Sequence, residues 1–455
     1  MAQKAQFSSK IGLIAATVGS AVGLGNVWRF PAETQANGGA AFLLIYIGCV
    51  FLLGIPVMLA EFSLGRSTRS DAVGAFKAIT PKKKWWLSGA LAIIASYIIL
   101  CFYMVVAGWT IEYLWQSITG NLYEGGQAGG AVDNAIFQSR MSEYIVDDIN
   151  PLIFTYIVII INIGILLCGV KKGIERLSNI MMPMLFLLLL VFAGVSLSLP
   201  NASEGLAFFL NPDFSKITPT VIVSALGQAF FSLSLGMGIL ITYSSYFPKD
   251  TKLTRTAITV SLLDLTVAFM MGVIIFPAVT SFGLEGESLN GATLIFITLP
   301  EIFTQLPGTQ IWSVLFFSFL VIAAITSTIS IAEVSIAFMQ DRLKMSRPKA
   351  CLTVLLPVFV LSSICSLSQG SLSHITIAGL NIFDFLDTLA TNIMLPICSI
   401  LICIYIGWVA PRNLMDKQLT NNGAMKSHVF GIVLFIVRYI APILIAFILA
   451  SQFFK

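Results

Sequence analysis

Gly19-Ser20-Ala21-Val22-Gly23-Leu24-Gly25-Asn26 sits in the middle of an apolar run, residues 11–36, long enough to cross a bilayer as a helix. In lipid a helix must satisfy its own backbone, so glycines this closely spaced at membrane depth mark a place where the helix lets go. A second interruption, Ser232-Leu233-Ser234-Leu235-Gly236-Met237-Gly238, falls inside the run 219–246. Outward from these two, further apolar runs lie at 40–64, 86–118, 151–169, 178–198, 255–281, 310–340, 350–368, 378–408 and 428–453, giving eleven segments. The interruptions are five segments apart. Counting on from each gives two five-helix units, 11–198 and 219–408, with 428–453 appended. Because five is odd, the second unit enters the membrane from the opposite side, which makes an inverted repeat. Paired interruptions at matching positions of such a repeat point to a transport site. Glycines that only let neighbouring helices approach are the plainer account of one such cluster. Two at matching positions, each beside polar residues, favour the break. The expected fold is an all-α polytopic membrane protein of eleven transmembrane helices, a 5+5 inverted repeat with discontinuous first and sixth helices, in one transport domain over 1–455.

Composition excludes the soluble classes. Of 455 residues 57% are apolar and only 11% charged, against about 25% charged in soluble domains. A net charge of +4 is too small to imply a nucleic-acid partner, but its distribution carries orientation. Lys10, Arg66, Arg69, Lys82, Lys83, Lys84, Lys171, Lys172, Arg342, Lys344 and Arg412 fall in the amino-terminal tail and alternate loops; the opposite loops hold little beyond Arg140 and Lys216. The basic side is expected in the cytoplasm. That puts the protein in the inner (plasma) membrane with its amino terminus inside and, eleven being odd, its carboxyl terminus outside. No cleavable signal is expected, since the first apolar run holds Asn26 and Arg29. The seven cysteines lack CxxC spacing and read as small core hydrophobes, while His374 and His428 stand alone. The long stretch 119–150 reads as an exposed outer loop; 282–309, with Leu294 to Leu299 between loop signals, fits a helical hairpin over the outer mouth or a plain surface loop.

An unwound stretch frees carbonyls for a cation and N–H groups for an anion. Sodium wants several oxygen ligands. The first segment supplies the carbonyls of Gly19, Ala21 and Val22 and the Asn26 side chain, the sixth the Ser232 hydroxyl, and the eighth a hydroxyl cluster in Ala323-Ala324-Ile325-Thr326-Ser327-Thr328. Such hydroxyls also commonly bond back to the i−4 carbonyl. Ionisable residues inside the membrane default to functional candidates: Arg29, Glu61, Asp264, Glu333, Asp384, Asp387 and Arg438. Arg29 lies one turn beyond the first break and suits an ion-pair gate with Asp384 or Asp387.

The run from Gly19 through Trp28-Arg29-Phe30-Pro31, with Asn37-Gly38-Gly39, Gly54-Ile55-Pro56, Gln228 to Gly238 and Thr326-Ser327, resembles the neurotransmitter:sodium symporter family, in its bacterial eleven-helix form, over nearly the whole chain. Broken helices in inverted repeats are already known for that family. The resemblance implies two sodium sites. One would use Ala21, Asn26, Ser232, Asp264 and the substrate carboxylate; the other Gly19, Val22, Ala323, Thr326 and Ser327. The substrate carboxylate would meet the Leu24 and Gly25 amides and the Tyr103 hydroxyl, and its ammonium the carbonyls of Ala21, Phe231 and Ser234. Ile99, Phe231, Ser234, Met237, Ser327 and Ile331 would line the side-chain pocket. Arg29 and Asp387 would form the outer gate under a Phe231–Tyr103 lid, and Lys4 with Asp341 the inner ion pair. Gly173 to Pro183 resembles the family's fifth-helix unwinding element. Chloride-dependent relatives need an anion near the first sodium site; Ala268 lies where some relatives put a hydroxyl or acid, and Asp264 is expected to supply that negative charge itself, making transport chloride-independent.

Free carbonyls for an ammonium and free amides for a carboxylate together argue for an α-amino acid. No charged residue lines the distal pocket, so an apolar or aromatic side chain is expected. The reading is therefore a sodium-coupled amino-acid symporter working by alternating access, not an enzyme. A substrate-gated channel or amino-acid sensor on the same scaffold is the alternative.

Overall fold

A computed structural model describes residues 5–124, 134–284, 291–427 and 429–452. Lys4 and His428 lie outside the described residues. The chain opens with α1 (Lys10–Ala21) and α2 (Gly25–Ala36), two halves of one span bent by 55°. Ser9 caps α1 by accepting from the Gly12 amide, and Val22 leaves the helix in an extended conformation. Then follow α3 (Ala40–Thr68), α4 (Ala72–Ile79), α5 (Trp86–Thr119), α6 (Asn134–Val146), α7 (Asn150–Leu167), α8 (Val170–Leu197) and α9 (Ala202–Leu210). The sixth segment runs as α10 (Pro219–Ser232) and α11 (Ile239–Ser244). Beyond it come α12 (Leu253–Ser281), α13 (Gly291–Thr304), α14 (Thr309–Arg342), α15 (Arg347–Leu367), α16 (Ile382–Val409), α17 (Asn413–Leu419) and α18 (Phe430–Ser451). A two-stranded hairpin, Thr376–Ile377 with Leu380–Asn381, precedes α16.

Among the described residues nine helices are long and apolar enough to span, ten if the bent first pair counts as one. The sixth segment fails that length test because its halves have only 14 and 6 residues. Its break is steric. Ser234, Gly236 and Gly238 take φ of 53°, 79° and 74°, a left-handed region that costs an ordinary residue about 1–2 kcal/mol. Outward-facing Ile160, Leu187, Leu190, Val360 and Ile443 remain exposed, as lipid-facing surfaces require.

Two expectations change. The stretch 119–150 is not simply an exposed loop, because α6 buries Phe137, Met141 and Tyr144 at helical spacing. The Tyr113 hydroxyl donates to Met141 Sδ at 3.2 Å. The Gly-rich acidic composition of the preceding residues had masked this amphipathic stripe. The stretch Gly173 to Pro183 is wound, with Pro183 inside α8. The amino-terminal tail braces it: the Ser8 and Ser9 amides donate to Glu175 Oε2 and Oε1 at 2.8 and 3.0 Å, and both hydroxyls donate to Oε1 at 2.7 and 3.0 Å. The 282–309 alternatives resolve to a helix, α13, with Leu294 to Thr298 buried and Phe296 stacked on Phe317.

Glu333, a functional candidate from sequence, is fully buried and paired in two places to Arg347, at 2.8 and 2.7 Å. Tyr246 donates to the same carboxylate at 2.8 Å, and Arg347 Nε donates to the Leu166 carbonyl. The pair therefore ties α14 and α15 to the end of α7. Arg347→Ala would strand a buried carboxylate at a cost of about 3–5 kcal/mol. The expected result is a clear drop in the unfolding temperature of detergent-purified protein; an unchanged melting curve would contradict it.

Candidate functional site

The two breaks face each other across a cavity of about 40 Å³. Its walls are Ser20, Ala21, Gly23 and Gly25 from the first break, Phe231, Ser232, Ser234 and Met237 from the second, Ile99, Phe102 and Tyr103 from α5, and Ser327 and Ile331 from α14. Ten of the eleven substrate positions expected from sequence line it. The eleventh, Leu24, contributes its backbone: its amide donates to Tyr103 Oη at 3.2 Å. Gly23 is held by close approach, since a β-carbon there would stand 2.7 Å from Ser327 Oγ and 3.1 Å from Tyr103 Oη. The Ser234 hydroxyl crosses between the breaks to the Ser20 carbonyl at 2.8 Å. That bond also compensates the strained backbone of Ser234.

This arrangement presents a freed amide and a phenol at one end of an otherwise apolar cavity, which suits an anionic headgroup. Tyr103→Phe removes one donor to such a group. A single hydrogen bond to a charged partner contributes about 1.5–3 kcal/mol, so at least a 10-fold loss of substrate affinity is expected in a binding assay. A variant that binds as the parent does would remove Tyr103 from the site.

Beside the cavity lies a buried oxygen cluster. Asn26 Nδ2 donates to Asp264 Oδ1 and to Ser232 Oγ, both at 2.9 Å. Ser232 Oγ donates to Asp264 Oδ2 at 2.6 Å, and Tyr46 Oη donates to Ser232 Oγ at 3.3 Å. Gln228 Nε2 donates to the Gly25 carbonyl at 3.1 Å. All five side chains are essentially inaccessible. Among the described residues no basic side chain pairs with Asp264. A buried carboxylate without a cation is costly, and hard oxygen donors alone fit a hard cation rather than a transition metal. The donor set suits sodium.

A second meeting point joins the first break to α14. Ser327 Oγ donates to the Val22 carbonyl at 3.3 Å, and a β-carbon on Gly19 would touch Thr326 at 3.3 Å. Thr326 Oγ1 donates back to the Ile322 and Ala323 carbonyls at 3.0 and 3.1 Å. This is the ordinary helix back-bond, and it leaves the hydroxyl lone pairs available to a cation. Gly19, Val22, Ala323, Thr326 and Ser327 are thus brought together.

The gates are less simple. The Arg29 guanidinium lies over the Phe231 ring, 4.9 Å from its centroid, and its Nε is 3.8 Å from Glu33 Oε1. Its charge reaches Asp387 electrostatically, yet the two form no ion pair among the described residues. Asp384 is bound at the start of α16, where Asn381 donates to its carboxylate at 2.8 Å. Asp341 accepts from the Asp71 amide at 2.8 Å, beside an Arg342–Asp71 pair at 3.3 Å. Asp341 and Arg342 border a cavity of about 1230 Å³ that also meets Arg69, Lys77 and Lys344, on the face carrying the basic loops.

The sequence reading missed Ser20, Gly23 and Phe102 as lining residues. The first two lie inside the interruption already singled out; Phe102 follows Ile99 by three positions on the same helix face. It also gave Glu61 no role. Glu61 is fully buried in α3 and accepts from the Gly236 amide at 2.8 Å, so it holds the second break in place.

Facing half-helices around a buried pocket, flanked by oxygen-only cation ligands, define a secondary transporter rather than an enzyme. Comparison with known proteins narrows the class. The model of the sodium:neurotransmitter symporter family matches residues 4–127 and 141–455, and the chain belongs to that family. It is 34% identical over 461 residues to an uncharacterized sodium-dependent transporter of Haemophilus influenzae, covering 99% of both chains. It is also 34% identical over 440 residues to the uncharacterized sodium-dependent transporter YhdH of Bacillus subtilis, covering 97% of this chain and 96% of that one. The sodium-dependent serotonin transporter of Drosophila melanogaster is 28% identical over 425 residues, 85% of this chain and 65% of that protein. Among solved structures, MhsT in complex with L-phenylalanine superposes with a TM-score of 0.88 at 41% identity, covering 99% of this chain and 100% of that one. This is a multi-pass membrane transporter, sodium-coupled, for an amino acid or neurotransmitter.

Proposed function

We propose that the protein is a sodium-coupled symporter of an apolar or aromatic α-amino acid, working by alternating access. The carrying observation is the freed Leu24 amide and Tyr103 hydroxyl facing a cavity whose remaining walls, including Ile99, Phe102, Phe231, Met237 and Ile331, bear no charge. A side chain with a charge would be left unpaired there at a cost of several kcal/mol. The relative bound to L-phenylalanine supports the aromatic end of the range. Two sodium sites fit the two meeting points: Ala21, Asn26, Ser232 and Asp264 with the substrate carboxylate, and Gly19, Val22, Ala323, Thr326 and Ser327. Transport is chloride-independent, with Asp264 in place of the anion.

An ion that touches the substrate carboxylate tightens the binding of each by the other. The second ion holds the first break against α14, and its loss frees one five-helix bundle to rock. Arg29, Asp387 and Phe231 close the outer path; the Asp341 region and the tail on Glu175 close the inner one. The basic loops favour a cytoplasmic amino terminus and an external carboxyl terminus in the plasma membrane.

Uptake of the twenty labelled amino acids into proteoliposomes, with and without an inward sodium gradient, tests the reading. Gradient-driven accumulation of one or a few apolar amino acids is expected. Passive equilibration would make it a channel, and tight binding without flux a sensor.

A further inference from the structure

We infer that Arg438 and Trp408 form a binding site for the phosphate of an anionic phospholipid, in the leaflet on the side of the basic loops. Arg438 is half-buried in α18, where it packs on the end of α16. Its Nε donates to the Gly407 carbonyl at 2.6 Å, and its guanidinium carbon stands 5.0 Å from the Trp408 ring centroid. The Trp408 indole donates in turn to the Arg438 carbonyl at 3.1 Å. The contact is tight, since a β-carbon on Gly407 would lie 3.0 Å from Arg438 Cα. The two helices are therefore in close contact at the base of the arginine side chain.

An arginine carries five N–H donors. Among the described residues only the one on Nε finds an acceptor, and no carboxylate pairs with the group. The guanidinium sits in a surface that is otherwise apolar: Trp408 under it and Phe435, Tyr439 and Ile432 on the same helix are exposed. A cation in such a surface needs a counter-charge from outside the chain. Depth says which. Gly407 is two residues, about 3 Å along a helix, from Val409, where α16 ends and Pro411-Arg412 leave the apolar layer. Arg438 itself stands eight residues into α18, so its guanidinium reaches the headgroups by the length of its side chain, and tryptophan also prefers that level. The Nη fork matches a phosphodiester, the aromatic wall offers contact to glycerol and acyl carbons, and Arg412 and Lys417 in the next loop add attraction for an anionic lipid.

The test is native mass spectrometry of purified protein exchanged into mixtures of phosphatidylglycerol and phosphatidylcholine. The parent should keep one tightly held phosphatidylglycerol that Arg438→Gln holds at least about 10-fold more weakly, with Trp408→Leu intermediate. Phosphatidylcholine should not substitute. Sodium-driven uptake by both variants in liposomes establishes that they fold. Equal phosphatidylglycerol retention by parent and Arg438→Gln overturns the site, as does equal retention of the two lipids. Displacement by inorganic phosphate alone would make the ligand a soluble anion and overturn the lipid assignment. A changed oligomeric state of Arg438→Gln by light scattering, with lipid retention intact, would assign the patch to a contact between copies instead.

Discussion

Asp264→Asn is expected to abolish sodium-driven uptake in chloride-free buffer, or to leave uptake that returns only when chloride is supplied. The carboxylate is fully buried and takes bonds from Asn26 Nδ2 and Ser232 Oγ at 2.9 and 2.6 Å. Charge-assisted bonds of this kind contribute about 1.5–3 kcal/mol each. Loss of the charge removes both that assistance and the attraction for a cation at the same spot, so a fall of at least about 100-fold in uptake at low sodium follows. The asparagine is nearly the same size, so the fold should survive. What remains is a ring of neutral donors, from Tyr46, Gln228 and Ser232, with a methyl group at Ala268 nearby in sequence. Such a ring can accept an anion that restores the missing charge. Uptake into proteoliposomes in gluconate and in chloride, across a sodium titration, reads both outcomes. Undiminished transport by the variant without chloride would remove Asp264 from the cation site and the chloride argument with it.

Both breaks were legible because an apolar run interrupted by glycines has few physical meanings in lipid. Residues beside a break border the gap it opens, and Ser20 and Gly23 were as available as Ala21; the walls from α5 and α14, Ile99, Tyr103, Ser327 and Ile331, came from the family resemblance. Other features depend on contacts that no local pattern carries. Glu175 is bound by Ser8 and Ser9, about 166 positions away, and nothing in either stretch announces the partner. Gly173 to Pro183, which the tail contacts at Glu175, is helical in this structure. Glu333 looked like a transport residue because a lone intramembrane acid defaults to function, yet Arg347 lies only 14 positions on, just past the end of the same helix. The distinction between Asp384 and Asp387 also needed coordinates. Both share a helix face in sequence, but Asn381 ties up Asp384 at the helix start, while Asp387 feels the charge of Arg29.

Gly236→Ala is expected to cost about 2–5 kcal/mol and to stop transport, because it attacks the second break at its least adaptable point. The residue has φ of 79°, which costs an alanine about 1–2 kcal/mol. The new β-carbon would stand 2.7 Å from the Leu395 carbonyl and 2.5 Å from Ser399 Oγ. A serine hydroxyl can rotate; a helix carbonyl in α16 cannot, and overpacking of this kind adds about 1–3 kcal/mol. Any shift of the backbone also pulls the Gly236 amide away from Glu61 Oε1. That would deprive a fully buried carboxylate of its bond, whose other oxygen has no hydrogen-bond partner among the described residues. Ser399→Ala in the same chain relieves only the hydroxyl clash, so it should recover little. Glu61→Gln, which keeps an acceptor for the amide, should fold where Gly236→Ala does not. Thermal unfolding in detergent and initial uptake rates separate these effects. A Gly236→Ala protein that melts and transports like the parent would mean that the left-handed turn at 236 is dispensable, and that α10 and α11 are held apart by something other than this glycine and its glutamate.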